Sequence, residues 1–398
     1  MKQRQVYLDY AAVTPTDPQV LEVIVDVEQR GLGNPSSMHA KGKVARDIVE
    51  ASRKTVADAL VAHADEIIFT GSGTESDNLA IQGVARVHKT HGCHIVSCAT
   101  EHPAVLETLR HLQERLGFEI TLLEVDGNGK VSADQVKDAI REDTILVSVM
   151  YANNEIGTIH PIADIGRVID KYRKQNKTIY PLFHSDACQA LGALDVNVEK
   201  LHVDLLTINS SKIYGPKGVG ALFVRRGVKI APIQFGGLQE RRLRPGTENV
   251  SGIAGFAKAV ELAGQCQKKE VRRLTKLRDY FIKQVQIKIP NTRLNGHKSE
   301  RLPNNINFSF LGVEGEALLL YLDAQGIFAS SGSACTSEKL DPSHVIMALG
   351  VPHMVAHGSI RFTLGRFTKK KDLKYVLEVL PPIVKRLRSM SPIKVNES

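Results

Sequence analysis

Short apolar runs alternate along this chain with stretches whose apolar residues recur at helical spacing. YLDY at 7–10 reads as a short strand. Asp17-Pro18 predicts a helix start, with an acidic cap and proline at the first helical position. KVARDIVEASRKTVADAL at 43–60 carries the apolar stripe of an amphipathic helix. Strand-like runs follow at EIIFT (66–70), HIVSCAT (94–100), EITLLEV (119–125), TILVSVM (144–150), YPLFHSD (180–186), DLLTIN (204–209) and VGALFV (219–224). Between them, helices are predicted after GSGTESDN, from Pro103, over SADQVKDAI at 132–140 and after Pro161. Apolar strands separated by helices predict an α/β fold with a mostly parallel sheet covered on both faces. A long helical stretch at 253–288 ends the alternation. INFSF (306–310), a helix from Glu314, SIRFTL (359–364) and a C-terminal helix then predict a smaller α+β domain. The expected division is a large domain over 14–261, with 1–13 and 262–398 forming the small one.

Composition narrows the class. The 398 residues are 42% hydrophobic and 24% charged, as in ordinary globular proteins. No apolar run approaches the roughly 20 residues a membrane helix needs. MKQRQVYLDY has no apolar signal core, so a cytoplasmic location is expected. The five cysteines are scattered without a CxxC pair, which fits a reducing compartment and no metal cage. The net charge is +9, with basic runs at 239–244, 268–278 and 368–374. They read as solvated helix faces. An acidic partner is the alternative, but no nucleic-acid motif supports direct nucleic-acid binding.

Six segments carry chemistry, and each has a bland reading beside it. In SSKIYGPKGVG, Lys212 offers an amine for a Schiff base, or is a turn lysine. In HSDACQALG, Asp186 ends a strand, where ligands face a parallel sheet, and Gln189 follows; Asp186 alone would also serve as a cap. In FTGSGTESDN, Gly73 and Thr74 open a helix and suit a phosphate cradle, or a plain turn. His102 in TEHPA suits stacking on a planar ring, or the surface. Asn153 in NNEIG suits a carboxylate or ring oxygen, or an Asn-rich turn. Arg361 in SIRFTLG suits a carboxylate fork, or an exposed strand. A seventh segment, SSGSACTS, sets Cys335 among serines and glycine in a loop, unlike a buried structural cysteine. Together these describe an amino-acid enzyme with an electron-sink cofactor and an added nucleophile.

Read in order, YLDYAAVTP, GNPSSMH, GSGTESDNLA, TEHPAV, NNEIG, HSDACQ, SSKIYGPKGVG, RPGTENV, EGE, SSGSACTS and SIRFTLGRF resemble the cysteine desulfurases. These belong to the class V aminotransferases among fold-type I pyridoxal phosphate enzymes, and SSGSAC resembles the NifS and IscS type with its longer loop. The loop is expected over about 328–341. The resemblance implies that Lys212 holds pyridoxal 5'-phosphate as a Schiff base, Asp186 pairs with its ring nitrogen and Gln189 with its ring hydroxyl. His102 would stack on the ring. Gly73, Thr74, Asn209 and Ser211 would hold the phosphate, and Thr247 would reach the phosphate of the partner in a homodimer. Asn153 and Arg361 would hold the carboxylate of L-cysteine, and Cys335 would accept its sulfur as a persulfide, leaving L-alanine. Ser211 stands where many members carry histidine.

His102 is also expected to take the Cys335 proton, since a free thiol with a pKa of about 8.5 is mostly protonated at neutral pH. The sulfur would pass to an acceptor protein serving iron–sulfur assembly, tRNA thiolation or DNA phosphorothioation. A selenocysteine lyase or another class V enzyme is the alternative within the fold, and a non-catalytic interaction subunit lies outside it.

Overall fold

A computed structural model describes residues 4–331 and 342–391. The strands are β1 (Val6–Tyr7), β2 (Ile67–Thr70), β3 (His94–Cys98), β4 (Glu119–Leu123), β5 (Thr144–Ser148), β6 (Leu182–Asp186), β7 (Leu205–Asn209), β8 (Gly220–Val224), β9 (Thr292–Leu294), β10 (Asn305–Phe310), β11 (Ile327–Phe328) and β12 (Ser359–Thr363). The helices are α1 (Pro18–Gln29), α2 (Ala40–Leu60), α3 (Gly73–His88), α4 (Pro103–Leu116), α5 (Ala133–Ala139), α6 (Ile162–Asn176), α7 (Val198–Leu201), α8 (Val250–Lys288), α9 (Gly315–Asp323), α10 (His344–Ala348), α11 (His353–His357) and α12 (Lys370–Met390).

Seven strands form the main sheet in the order β2-β8-β7-β6-β5-β3-β4. All pair in parallel except β8, which runs against both neighbours. The period-2 pattern explains why both faces are covered. Ile67 and Phe69 enter one apolar cluster with α2, α6 and α8, while Ile68 enters another with α3 and α4. The strand expected at 7–10 is only Val6–Tyr7, and it pairs with β11. Val6 and Leu8 belong to a third cluster, built on Phe281, Phe308, Phe310 and Phe362 around β10 and β12.

No break marks residue 262. The helix expected to start near 253 begins at Val250 and runs 39 residues. Its first half buries Ile253, Phe256 and Val260 in the cluster that α2, α6 and one face of the main sheet share, and its second half buries Phe281 and Val285 in the smaller cluster. One continuous helix therefore serves two cores.

The basic runs are not simply solvated. Arg278 is 5% exposed and donates to the Arg301 and Leu302 carbonyls at 3.0 and 2.8 Å. Arg273 binds Glu270 and three backbone carbonyls. A guanidinium fork can tie several acceptors at once, so charge in a sequence does not by itself mean exposure. Among the described residues, no helix is long and apolar enough to cross a membrane.

Candidate active site

Five strands deliver the site. β2, β3, β5, β6 and β7 run in one direction, so their C-terminal ends meet at one sheet edge. A largely parallel sheet places ligands there because its turns into helices open at that edge.

Lys212 ends a short 3-10 turn, Ser210–Lys212, directly after β7. Asn209 caps that turn: its Oδ1 accepts from the Ser211 N–H at 2.9 Å and from Ser211 Oγ at 3.1 Å. Lys212 Nζ donates to the Ala11 and Ala12 carbonyls at 3.0 and 2.6 Å. Burial lowers its pKa and Arg361 adds to the shift, against the opposing pull of Cys188, Asp186 and Asp9. The amine is thus shifted toward its neutral, nucleophilic form. Gln189 Nε2 shares the Ala11 carbonyl at 3.0 Å.

Asp186 is the last residue of β6, 8% exposed, and its Oδ1 accepts from the Cys188 N–H at 2.8 Å. Two fully buried carboxyls lie in its field. Burial raises Asp77 and Glu101 well above the usual carboxylate range, and the Asp186 charge pushes both further. Burial and the Asp186 carboxyl thus both disfavour the charged forms of Asp77 and Glu101. His184, also fully buried, is pushed down to about 4 by burial.

His102 caps α4, and its Nδ1 accepts from the Ala104 N–H at 3.1 Å. Burial lowers its pKa, with Lys212 and His344 adding to the shift and Asp186 opposing it. A neutral imidazole whose Nδ1 lone pair is taken carries its proton on Nε2. This geometry makes His102 a donor at Nε2. It does not favour the expected role as base for a thiol, because the only lone pair is engaged by the helix.

Gly73 is the first residue of α3. Ser72 Oγ caps the Glu75 N–H at 3.1 Å, while the Gly73 and Thr74 N–H groups have no partner among the described residues. A Cβ on Gly73 would stand 2.7 Å from Cys188 Sγ, so only glycine fits. Thr74 is exposed and lines, with His102, a hollow of about 510 Å³ between the starts of α3 and α4.

Arg361 lies in β12, 2% exposed. Its Nη2 donates to Asp9 at 2.7 Å and its Nη1 to the Asn154 carbonyl at 3.2 Å, while its buried Nε has no partner. Asn153, expected to hold a ligand, bonds within its own turn. Its Nδ2 donates to the Thr100 carbonyl at 2.9 Å, and its Oδ1 accepts from the Glu155 and Ile156 N–H groups at 2.8 and 3.0 Å. The residue is fully buried and braces the Asn-rich turn. By carrying Asn154, that turn presents the carbonyl that Arg361 uses.

Thr247 is exposed, and its Oγ1 accepts from Asn34 Nδ2 at 3.4 Å. Cys335 lies outside the described residues. The strand-like stretch before it ends at Ser330, whose backbone exchanges hydrogen bonds with Arg361 at 2.7 and 3.2 Å. After it, Ser343 Oγ donates to buried Glu155, and His344 Nε2 to the Glu101 carbonyl at 2.9 Å.

Asp9, Cys188 and His344 were missed from the sequence. Asp9 had a readable signal, a carboxylate inside an apolar strand-like run. Cys188 and His344 had none, since both enter the site through tertiary contacts.

The donor set fits pyridoxal 5'-phosphate: open helix N–H groups for a phosphate, an ionisable carboxyl for a ring nitrogen, a buried amine of lowered pKa and an unpartnered guanidinium N–H for a carboxylate. Comparisons agree. The aminotransferase class-V family matches residues 6–376. A protein of Dictyoglomus turgidum named "Cysteine desulfurase IscS" is 53% identical over 392 residues, 98% of each chain. One of the same name from Methanosarcina thermophila is 50% identical over 100% of this chain and 96% of its own. A solved structure titled "NIFS-LIKE PROTEIN" superposes with a TM-score of 0.89 at 35% identity, covering 96% of this chain and 100% of its own. The chain belongs to the aminotransferase class-V family, whose chemistry depends on pyridoxal 5'-phosphate. Its activity within that family is cysteine desulfuration.

Proposed function

We propose that the enzyme takes sulfur from L-cysteine as a persulfide on Cys335, releases L-alanine and passes the sulfur to an acceptor protein in the cytoplasm. The observation that carries this reading is the position of Lys212, an amine of lowered pKa in the shared field of Asp186, His102 and Arg361. Ser330 joins that group through Arg361, five residues before Cys335.

Bound pyridoxal phosphate supplies an electron sink that acidifies the substrate α-proton and allows the carbon–sulfur bond to break. The chain's own residues do the rest. The Gly73 and Thr74 N–H groups hold the phosphate at the α3 N-terminus, with Asn209, Ser211 and the partner's Thr247 completing the cradle. Asp186 keeps the ring nitrogen protonated, and Gln189 orients the ring oxygen. Arg361 takes the substrate carboxylate through Nε. Lys212, neutral once freed, removes the α-proton and returns it. His102 stacks on the ring and donates from Nε2. The Cys335 thiolate attacks the substrate sulfur, forming the S–S bond of the persulfide as the carbon–sulfur bond breaks. An iron–sulfur scaffold is the acceptor placed first, supported by the full-length likeness to proteins named cysteine desulfurase IscS.

Cys335→Ser is the test. The variant is expected to keep its bound cofactor spectrum and to lose sulfur transfer and alanine formation in a single turnover with L-cysteine. Undiminished sulfide release from that variant would remove Cys335 from the reaction.

A further inference from the structure

The loop that carries Thr247 is tied back to its own subunit's phosphate cradle. Three consecutive residues, Glu240, Arg241 and Arg242, hold left-handed backbone angles at φ 42°, 56° and 67°. Such a run of residues with side chains persists only where the surroundings enforce it. The enforcing contacts are specific. Glu240 is 7% exposed; its carboxylate takes both Arg53 Nη atoms, at 2.7 and 2.8 Å, and accepts from the Phe69 N–H at 2.7 Å on the open edge of β2.

Four residues on, Arg244 Nε donates to Glu75 Oε1 at 3.0 Å. The other oxygen of Glu75 accepts from the Gly71 N–H at 2.7 Å. Glu75 thus bridges the turn entering α3 and the loop that ends at Thr247. Space is tight there: a Cβ on Gly71 would stand 2.7 Å from Glu75 Oε2. Beyond Thr247, Asn249 caps α8 by accepting from the Gly252 N–H at 3.0 Å, so the loop is pinned at both ends with the threonine exposed between them.

We propose that Glu75 and Arg244 are positioning residues that couple the two cofactor sites of the dimer, so that phosphate bound in one subunit's cradle orders the Thr247 loop it sends to the other. The inference rests on the reading that Thr247 completes the partner's cradle. A phosphate on the Gly73 and Thr74 N–H groups fixes the Gly71–Glu75 turn. That turn holds Arg244, and Arg244 holds the loop. Coupling of this kind is reciprocal, so each site favours occupancy of the other.

The test titrates the full-length apoprotein with pyridoxal 5'-phosphate and follows binding by absorbance. The wild type is expected to bind with a Hill coefficient above one. Arg244→Met is expected to bring the coefficient to one and weaken binding about tenfold, within the usual range of site–site coupling. Arg244→Lys is expected to recover part of both. Glu75→Gln, which keeps an acceptor for the Gly71 N–H, is expected to behave as Arg244→Met, which guards against a folding defect in either variant.

Mixed dimers locate the effect. When only the subunit with intact Arg244 keeps Lys212, and its Lys212→Ala partner carries Arg244→Met, binding at the intact site is expected to weaken. Wild-type binding with a Hill coefficient of one, or a loss confined to the subunit carrying Arg244→Met, would overturn the coupling. Weakening by Thr247→Val alongside an unaffected Arg244→Met overturns the coupling and leaves the shared cradle standing. An inert Thr247→Val overturns both.

Discussion

Two strand-to-helix junctions open on the same hollow and treat their helix ends in opposite ways. At the start of α3, Ser72 takes the Glu75 N–H, and the Gly73 and Thr74 N–H groups are left open. At the start of α4, Pro103 has no N–H to offer and His102 Nδ1 takes the Ala104 N–H. Every helix begins with N–H groups that lack an intrahelical partner, and the helix dipole favours an anion beside them. The α3 end keeps that capacity for a phosphate. The α4 end spends it on orienting one imidazole. Secondary structure alone does not assign a helix end to ligand binding; the residues at its first positions do.

The largest effect expected at these junctions comes from closing the open one. Gly73→Ala places a methyl 2.7 Å from Cys188 Sγ, where no rigid neighbour has room. Overpacking of this kind costs about 1–3 kcal/mol, and displaced N–H groups lose their aim at the phosphate. The variant is expected to melt lower and to bind pyridoxal 5'-phosphate at least tenfold more weakly, a factor worth about 1.4 kcal/mol. Adding Cys188→Ala removes the obstructing sulfur. Recovery of the melting temperature in the double variant, read by circular dichroism, checks that the contact is the cause. An equal loss in single and double variants would reject the packing argument.

The contrast also shows what was readable in advance. Glycine after a strand, and histidine followed by proline, are local signals, so both junctions were legible. So was the sheet, because its apolar runs are continuous. An Asn side chain serves a turn or a ligand equally well in one dimension; the Thr100, Glu155 and Ile156 partners of Asn153 show the turn role, which spacing did not specify. The boundary expected near 262 falls inside α8, which keeps helical spacing throughout while the core it faces changes from one cluster to the other after Ala263. The carboxyls Asp77 and Glu101 sit in polar-looking motifs, and nothing in their spacing announces complete burial.

A smaller effect is expected at the occupied junction. His102→Gln retains an amide donor but not the ring. General acid–base contributions run to about 100-fold or more, so a single-turnover rate lowered by that factor is expected if the Nε2 proton is transferred. If Nε2–H only orients a neighbour, the loss stays near tenfold, the scale of one hydrogen bond of about 1.4 kcal/mol. The rate itself separates the two roles. Cofactor affinity, measured alongside, shows how much of the loss is stacking.

The smallest effect is in the pH dependence of the caps. Protonating His102 at Nδ1 destroys the acceptor that caps α4 and places a cation at a helix N-terminus, where the dipole disfavours it. Burial lowers the folded-state pKa below the ordinary value of about 6.5, so just below that pH the unfolded chain binds the proton first. Stability from this group is complete above about 6.5 and is lost as pH falls through the lowered folded value. His102→Asn keeps a capping oxygen that does not titrate. It is expected to shrink the loss of stability on acidification by about 1 kcal/mol, the scale of one cap, in urea melts compared between neutral and acidic pH. Buried His160 and His184 titrate in both proteins, so the difference between the two curves isolates His102. Ser72→Ala, at the other junction, should cost a similar amount equally at every pH. Identical acid limbs for His102→Asn and the wild type would mean that the imidazole cap contributes nothing.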